Sequence, residues 1–215
     1  MTLPEAVVLA GGLGTRLRSI VTDRQKVLVQ VAGKPFLAYN LTLLEEQGCP
    51  AVTLALGYKG EQVEAAFGRR FGRMNLHHSV EETPAGTGGA LRLAADYLTA
   101  SEVLVLNGDS ILQDDYSGLV SLRRERSAVA AIAAVSVDDT ARYGALSIDP
   151  NHRVVEFLEK GAEGPGLINA GVYAIETDVL RSLRNPSSLE RDALSGWLDQ
   201  GVWAWARSAP FIDIG

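Results

Sequence analysis

The sequence predicts an α/β fold with a Rossmann-like mixed sheet, mostly parallel, that carries helices on both faces. Short apolar segments alternate with segments of helical apolar spacing over the first half of the chain, which is the order of βαβ units. The apolar segments are nearly continuous, as in strands covered on both faces. With 215 residues, of which 47% are apolar and 21% charged, the chain can bury one large core. We therefore expect residues 1–215 to form a single domain.

The first half contains the clearest elements. Apolar runs predict strands, and apolar positions three and four residues apart predict helices. Gly48 ends the first helix, and Pro50 prevents its continuation. The predicted strands are 6–9, 51–56, 76–80, 102–106 and 128–135, and the predicted helices are 36–46, 61–67, 87–98 and 116–125.

The second half has a different character, because Pro150-Asn151 separates two short apolar segments in the manner of a hairpin. No internal repeat or linker interrupts the chain, which again favours one domain. The predicted strands here are 144–149, 154–157, 167–175, 202–206 and 210–214, and the predicted helices are 179–183 and 189–200.

Composition argues against several classes of function. The formal net charge of −6 disfavours non-specific nucleic-acid binding, which needs basic patches. No segment approaches the roughly 20 apolar residues of a membrane span, and the amino terminus lacks the pattern of a signal peptide. The single cysteine, Cys49, rules out an internal disulfide. We expect a cytoplasmic protein that binds neither nucleic acid nor membranes; the sequence leaves a homo-oligomer open.

A glycine-rich loop follows the first strand, in the stretch Leu9-Ala10-Gly11-Gly12-Leu13-Gly14-Thr15-Arg16-Leu17. The glycines let the backbone approach a ligand closely, and successive N–H groups can then point at phosphate oxygens. Arg16 adds a permanently charged, planar group suited to the same oxygens. The loop matches neither the P-loop nor the dinucleotide fingerprint. It therefore predicts phosphate binding of another kind, with an ordinary tight turn as the alternative.

Two further segments carry chemical signals. The strand at 102–106 leads into Asn107-Gly108-Asp109, at the edge where open α/β sheets bind ligands. If a triphosphate binds nearby, the Asp109 carboxylate is suited to hold Mg²⁺. Considered without the other segments, the same residue indicates an Asx turn. Segment 84–91 is a glycine-rich entry to a helix, which can admit a base or sugar, accept an anion, or simply begin the helix.

Taken together, these segments resemble the sugar-1-phosphate nucleotidyltransferases, the enzymes that make nucleotide sugars. The resemblance implies the nucleotide-diphospho-sugar transferase fold, and it extends along nearly the whole chain. The matching elements are 9–17, Lys26, Gly33-Lys34-Pro35, 86–91, Asn107-Gly108-Asp109, Arg142-Tyr143-Gly144, 157–160, Asn169-Ala170-Gly171 and 211–215.

The resemblance implies a role for each matching position. Arg16, Lys26, Asp109 and Lys160 are the implied catalytic residues, and Asp109 and Asp213 the implied Mg²⁺ ligands. The implied nucleotide-binding residues are Leu9, Ala10, Gly11, Gly12, Gly14, Thr15, Arg16, Lys26, Glu81, Gly86, Thr87 and Gly88. The implied sugar-phosphate-binding residues are Asn107, Gly144, Glu159, Lys160, Asn169 and Gly171.

These roles agree with the chemistry of the reaction. A sugar phosphate oxygen attacks the α-phosphorus of the triphosphate, and pyrophosphate leaves. Both reactants are anionic, so cations must reduce their repulsion and stabilise the developing charge. The attacking phosphate is already ionised at neutral pH, so no general base is needed. His77, His78 and His152 accordingly read as surface or packing residues.

One segment departs from the family pattern. The family usually has Pro-Lys-Pro around the second phosphate-binding lysine, whereas this chain has Gln25-Lys26-Val27. The loss of both prolines removes backbone stiffening on each side of Lys26. The departure puts the order of this loop and the reach of Lys26 in question.

Segment 79–89 most resembles the guanylyl-transferring members, which make GDP-mannose or GDP-manno-heptose. A carboxylate such as Glu81 or Glu82 could accept hydrogen bonds from guanine N1–H and N2–H₂, although both could equally be solvated loop charges. The Arg142-Tyr143-Gly144 element, segment 188–192 and the 211–215 ending extend this resemblance, which implies transfer of GMP from GTP to D-glycero-α-D-manno-heptose 1-phosphate, in lipopolysaccharide or capsule synthesis. Mannose 1-phosphate as acceptor, and uridylyl or thymidylyl transfer to another sugar 1-phosphate, are the alternatives.

A protein without this activity is also conceivable from the sequence. The altered Lys26 segment would suit a nucleotide-sugar-binding regulatory subunit, but a sensor would not need both Asp109 and Asp213. A Rossmann-type dehydrogenase is disfavoured because the dinucleotide fingerprint is missing. Pyrophosphate release and nicotinamide binding distinguish these alternatives.

Overall fold

A mixed sheet forms the centre of the molecule, in a computed structural model that describes residues 2–12, 25–158, 161 and 164–215. Ten of the described strands belong to this sheet, and two small two-stranded sheets lie beside it. The strands are β1 Ala6–Leu9, β2 Gln30–Val31, β3 Lys34–Pro35, β4 Ala51–Leu56, β5 Arg70–Phe71, β6 Met74–Val80, β7 Glu102–Asn107, β8 Ser110–Leu112, β9 Ala130–Val137, β10 Ala145–Ile148, β11 Val154–Leu158, β12 Gly166–Glu176, β13 Val202–Arg207 and β14 Phe211–Asp213.

Helices and helical turns connect these strands. The α-helices are α1 Phe36–Glu46, α2 Gly60–Phe67, α3 Gly86–Ala94, α4 Ser117–Glu125, α5 Thr177–Arg181 and α6 Leu198–Gly201. Shorter helical turns span Lys26–Leu28 and Ala95–Tyr97 (3₁₀) and Leu189–Leu194 (π). None of the described helices is long and apolar enough to cross a membrane.

The sheet has a parallel part and an antiparallel part. Strands β6, β4, β1 and β7 run parallel, with Val7 of β1 opposite both Thr53 of β4 and Val105 of β7. β12 then joins β7 in the antiparallel sense and also pairs with β9 and β10. The parallel part corresponds to the βαβ order predicted from the first half of the sequence.

Helices cover both faces, as the sequence predicts. Side chains of a strand alternate between the two faces, so neighbouring apolar residues enter different cores. Val8 and Leu104 pack with α1, α2 and α4, whereas Val7 and Val105 pack with α3, α5 and the 189–194 turn. Since these strand residues are buried on both faces, their sequence shows a continuous apolar run rather than an alternating one.

Several local predictions differ from the structure. The predicted helix 189–200 is a π turn at 189–194 followed by the separate α6. The predicted strand at 128–135 begins and ends two residues later, and the predicted strand at 167–175 extends one residue further at each end as β12. Strands β2, β3, β5 and β8 were not predicted, because two or three residues carry no usable periodicity.

The carboxyl ends of the parallel strands meet at one edge of the sheet. Ala10, just after β1, donates its N–H to Ala55 O of β4 (2.8 Å), and Gly108, just after β7, donates to Leu9 O (2.9 Å). Glu81, just after β6, donates to Leu56 O (2.9 Å). Loops at this edge are the common place for ligands in open α/β sheets. Cys49 lies away from this edge, where burial raises the pKa of its thiol to about 12.

Candidate active site

A pocket with a volume of about 340 Å³ opens at this edge of the sheet. It is large enough for part of a nucleotide. Its lining joins the ends of β1, β4 and β7 to the start of α3. The lining residues are Leu9, Ala10, Gly11, Gly12, Gln25, Lys26, Val27, Ala55, Glu81, Pro84, Gly86, Thr87, Ala90, Asn107, Asp109 and Glu190.

Most of the predicted nucleotide-binding residues meet in this pocket. Those that line it are Leu9, Ala10, Gly11, Gly12, Lys26, Glu81, Gly86 and Thr87. Gly88 is not part of the lining. Gly14, Thr15 and Arg16 lie outside the described residues, as do Glu159 and Lys160 of the predicted sugar-phosphate set. Their predicted roles therefore stay predictions.

Gly11 permits two backbones to meet at the floor of the pocket. A Cβ on Gly11 would lie 2.9 Å from the backbone nitrogen of Gly57. A Cβ on Gly57 would in turn lie 3.0 Å from Gly11 O and would overlap Glu81 Oε1. Both glycines are therefore required by close packing, and their packing brings the Glu81 carboxylate against the loop that follows β1.

Lys26 and Asp109 form an ion pair on the pocket wall. Lys26 Nζ lies 2.6 Å from Asp109 Oδ2, and the Lys26 side chain is 12% exposed. The 3₁₀ turn Lys26–Leu28 carries the lysine across the sheet edge to the end of β7. The structure thus brings together two residues 83 positions apart in the sequence.

The second predicted metal ligand, Asp213, faces Asp109. β14 pairs with β8 so that Asp213 lies opposite Ser110, and Ile214 donates its N–H to Asp109 O (2.9 Å). A Cβ on Gly215 would lie 2.7 Å from Asp213 Oδ1, 3.4 Å from Asp109 Oδ2 and 3.3 Å from Lys26 Nζ. The two carboxylates and the ammonium therefore surround one point.

This pair of carboxylates fits a divalent cation. Mg²⁺ is usually bound by one or two carboxylates together with phosphate oxygens and water. Among the described residues no group of three or more His, Cys, Asp or Glu side chains could hold a metal alone. Phosphate oxygens or water could supply the further ligands of a metal at Asp109 and Asp213.

The glycine-rich entry to α3 packs against the segment before the π turn. A Cβ on Gly86 would overlap the carbonyl oxygen of Ser187, and Gly86 has a φ of +71°. Gly88 donates its N–H to the same carbonyl (2.9 Å). The start of α3 is therefore occupied by a protein carbonyl, which argues against the predicted alternative of a second anion site there.

Glu190 is a charged pocket residue that the sequence analysis did not place in the site. Its Oε2 accepts hydrogen bonds from Thr87 Oγ1 (3.1 Å) and Ser188 Oγ (3.2 Å). Thr87 Oγ1 in turn accepts the N–H of Leu189 (2.8 Å). The Glu190–Thr87 contact spans 103 residues, so no local pattern could have shown it.

The predicted sugar-binding residues form a second cluster beside the pocket. Asn107 lines the pocket, and a Cβ on Gly171 would lie 2.8 Å from Asn107 Nδ2. Gly171 donates its N–H to Asn169 Oδ1 (2.9 Å), and Asn169 donates its N–H to Gly144 O (3.2 Å). The pairing of β12 with β9 is interrupted between Asn169 and Tyr173, so Gly171 lies at a bulge.

Tyr173 ties this cluster together and was also missed from the sequence. Its hydroxyl accepts from Asn169 Nδ2 (2.9 Å), and the Asn107 side chain lies near the same hydroxyl. Burial raises the pKa of Tyr173 well above its usual value, and the charge of Glu190 acts in the same direction. Tyr173 is therefore a neutral phenol that orients the Asn169 amide. Its apolar strand context gave no sign of this role.

Comparison with known proteins agrees with this geometry. The nucleotidyl transferase family model matches residues 5–202, and the chain belongs to that family. D-glycero-alpha-D-manno-heptose 1-phosphate guanylyltransferase of Aneurinibacillus thermoaerophilus is 36% identical over 98% of this chain and 93% of its own length. Mannose-1-phosphate guanylyltransferase of Mycobacterium tuberculosis is 33% identical over 98% of this chain and 61% of its own length.

A solved structure is similar over the same span. HddC from Yersinia pseudotuberculosis, complexed with GMP-PN, superposes with a TM-score of 0.88 and is 36% identical, over 98% of this chain and 93% of that one. The mixed α/β sheet predicted from the sequence is therefore that of nucleotidyltransferase structures. The recognition of the family from its scattered motifs is confirmed.

Proposed function

We propose that this protein transfers GMP from GTP to a sugar 1-phosphate, D-glycero-α-D-manno-heptose 1-phosphate, and releases pyrophosphate. One observation carries the proposal: a pocket large enough for part of a nucleotide is lined by Lys26 and Asp109, and Lys26 Nζ and the carboxylates of Asp109 and Asp213 surround one point. A cluster of asparagine amides adjoins that point. An anionic donor and a hydroxyl-rich acceptor would meet there.

The reaction is an in-line displacement at the α-phosphorus. A phosphate oxygen of the sugar phosphate forms the new P–O bond, and the bond between the α-phosphorus and the bridging oxygen breaks, so pyrophosphate leaves with that oxygen. The backbone at Gly11 and Gly12 would hold the triphosphate, and Lys26 would stabilise charge that develops on the phosphates. Arg16 and Lys160 are proposed to supply the remaining positive charge.

We propose Mg²⁺ as the divalent metal of the reaction. Asp109 and Asp213 would hold it, with the triphosphate as a further ligand. When bound, Mg²⁺ withdraws charge from phosphate oxygens. The ammonium of Lys26 beside the same carboxylates limits their mutual repulsion before the metal and substrate bind.

The acceptor would lie against the amide cluster. Tyr173 orients the Asn169 amide, Asn107 lines the pocket, and the buried bulge at Gly171 lies beside them. Together with Gly144, these residues are proposed to bind the sugar hydroxyls, and Glu159 to assist. The heptose guanylyltransferase of A. thermoaerophilus supports a heptose acceptor. Mannose 1-phosphate is the second candidate, supported by the M. tuberculosis relative.

The proposed function predicts a preference among substrates. GTP with heptose 1-phosphate is expected to release pyrophosphate faster than any other pair in a grid of GTP, UTP, dTTP, ATP and CTP against several sugar 1-phosphates. GTP with no acceptor is the control. A faster reaction with UTP or dTTP would contradict guanylyl transfer, and no release from any pair would favour the regulatory-subunit alternative.

Glu81 is proposed to recognise the guanine base. Its Oε2 accepts the N–H of Ala85 (2.9 Å), so one carboxylate oxygen holds the loop while the group also faces the pocket. A hydrogen bond to a charged acceptor contributes about 1.5–3 kcal/mol, so Glu81→Gln is expected to lower kcat/KM for GTP about tenfold to a hundredfold. The value for UTP should not fall. The measurement is initial-rate kinetics with each nucleotide.

Glu82→Gln is the matched control, because Glu82 is exposed and does not line the pocket. Equal losses for GTP and UTP in Glu81→Gln would mean that Glu81 only supports the loop. That outcome would remove Glu81 as the guanine-selecting residue.

The setting of the reaction is part of the same proposal. We propose that residues 1–215 work as a single cytoplasmic domain whose product is used to build lipopolysaccharide or capsule polysaccharide. The ten-stranded sheet contains strands from both halves of the chain, which supports one folding unit.

A further inference from the structure

Gln25, the residue before Lys26, is fastened by hydrogen bonds to three parts of the fold. Its Nε2 donates to Ala10 O (2.8 Å) at the end of β1 and to Tyr58 O (3.0 Å) after β4. Its backbone N–H donates to Gln62 Oε1 on α2 (2.9 Å). The residue is 2% exposed, so these bonds are sheltered from water. A single buried glutamine thus ties the Lys26 segment to the floor of the pocket.

The backbone of Gln25 has the conformation that a proline would impose. Its φ is −61° and its ψ is 135°, whereas proline restricts φ to about −65°. Without the proline ring, the backbone must be held in this conformation by contacts that offset its conformational entropy. The hydrogen bonds of Gln25 supply those contacts.

The same residue sets the direction of Lys26. Gln25 O accepts the N–H of Leu28 (2.9 Å), which closes the 3₁₀ turn Lys26–Leu28. The turn projects Lys26 Nζ to Asp109 Oδ2. A shift of Gln25 would therefore move the ammonium away from the carboxylates at the pocket's end.

We infer that Gln25 is a positioning residue for Lys26. Its side-chain amide holds the backbone where the family pattern has the proline that precedes the lysine. Its effect on turnover rests on the proposed function, but its effect on Lys26 rests on the geometry alone. The position of Lys26 can therefore be tested by a measurement that does not depend on catalytic activity.

The first test measures the chemical accessibility of Lys26 with an amine-reactive acylating reagent, quantified at Lys26 by peptide mass spectrometry. Since each lost hydrogen bond weakens the segment, Gln25→Ala is expected to label Lys26 about fivefold faster or more than the wild type. Gln25→Pro keeps φ but lacks the amide and the N–H, so its rate should lie between the two. If Gln25→Ala does not fold, Gln25→Pro against the wild type decides the question.

Gln47→Ala is the matched control. Gln47 also bridges two segments, donating to Asp114 O (2.8 Å) and accepting the N–H of Tyr116 (2.8 Å), but it is not part of the pocket lining. It should leave the labelling of Lys26 unchanged. Unchanged labelling in folded Gln25→Ala, or equal acceleration in Gln47→Ala, would overturn the inference.

The second test is a double-mutant cycle on pyrophosphate release. Gln25→Ala is expected to lower kcat/KM about tenfold in the wild-type background and to have no further effect in Lys26→Ala, because residues that act together are not additive. Losses that add fully would show that Gln25 does not act through Lys26. Absence of turnover in the wild type would refute the proposed function and leave the labelling result as the test of positioning.

Discussion

Replacing Asp109 by asparagine is expected to lower turnover about 10³-fold, as the removal of a group that stabilises charge at phosphates commonly does. Asparagine keeps the shape of the side chain but removes the negative charge that would face a cation. The asparagine amide oxygen can still accept a hydrogen bond from Lys26 Nζ, which lies 2.6 Å from Asp109 Oδ2 in the native protein. The fold should therefore be retained, and the loss should appear in kcat measured by pyrophosphate release.

Stability measurements separate this chemical effect from unfolding. Asp109 is 38% exposed, so the free energy of unfolding should change by about 1 kcal/mol or less. Asp178→Asn removes an exposed carboxylate paired with Arg181 and should leave both turnover and stability unchanged. Native-level turnover in folded Asp109→Asn would show that the site does not use this carboxylate for catalysis.

Replacing Gly86 by alanine is expected to lower the free energy of unfolding by about 2–5 kcal/mol and to weaken GTP binding. Gly86 has a φ of +71°, and a Cβ there would overlap the carbonyl oxygen of Ser187 and lie 3.1 Å from its carbonyl carbon. Relief of that overlap must move the 187–190 segment, which carries Glu190. Chemical denaturation and a GTP titration measure the two effects.

Gly196→Ala is the control for this substitution. No atom lies within 4 Å of its Cβ position, and its φ is outside the left-handed region. Alanine there should be neutral or raise stability slightly, by about 0.5–1 kcal/mol, because it restricts the unfolded chain. If Gly86→Ala behaved like Gly196→Ala, the close packing against Ser187 would not be needed for folding or binding.

The sequence predicted those elements whose signals are local. Helix α1 and strand β4 have the predicted bounds, because Gly48 and Pro50 mark the boundary between two strong apolar patterns. The 189–200 segment was predicted as one helix. The structure divides it into the π turn 189–194 and α6, and Leu189, Leu194 and Trp197 all lie in the core that also contains α3.

Among the residues of the candidate site, those with a local sequence signal were likewise predicted and those without one were missed. Gly11, Asp109 and Asp213 were found because they follow strand ends or belong to short family motifs. Gln25, Tyr173 and Glu190 were missed, since each acts through contacts with residues distant in sequence. The prediction that the missing prolines leave the Lys26 segment without stiffening is revised: Gln25, with its proline-like φ, is held by hydrogen bonds instead.

By itself, the sequence determined the fold class, the family and the identity of the charged groups, because these depend on periodicity and on the order of short motifs. Only the tertiary structure decided which groups meet. Lys26, Asp109 and Asp213 surround one point because the parallel strands end at one edge and β14 pairs with β8. That convergence depends on strand register, and register is set by packing across the whole sheet.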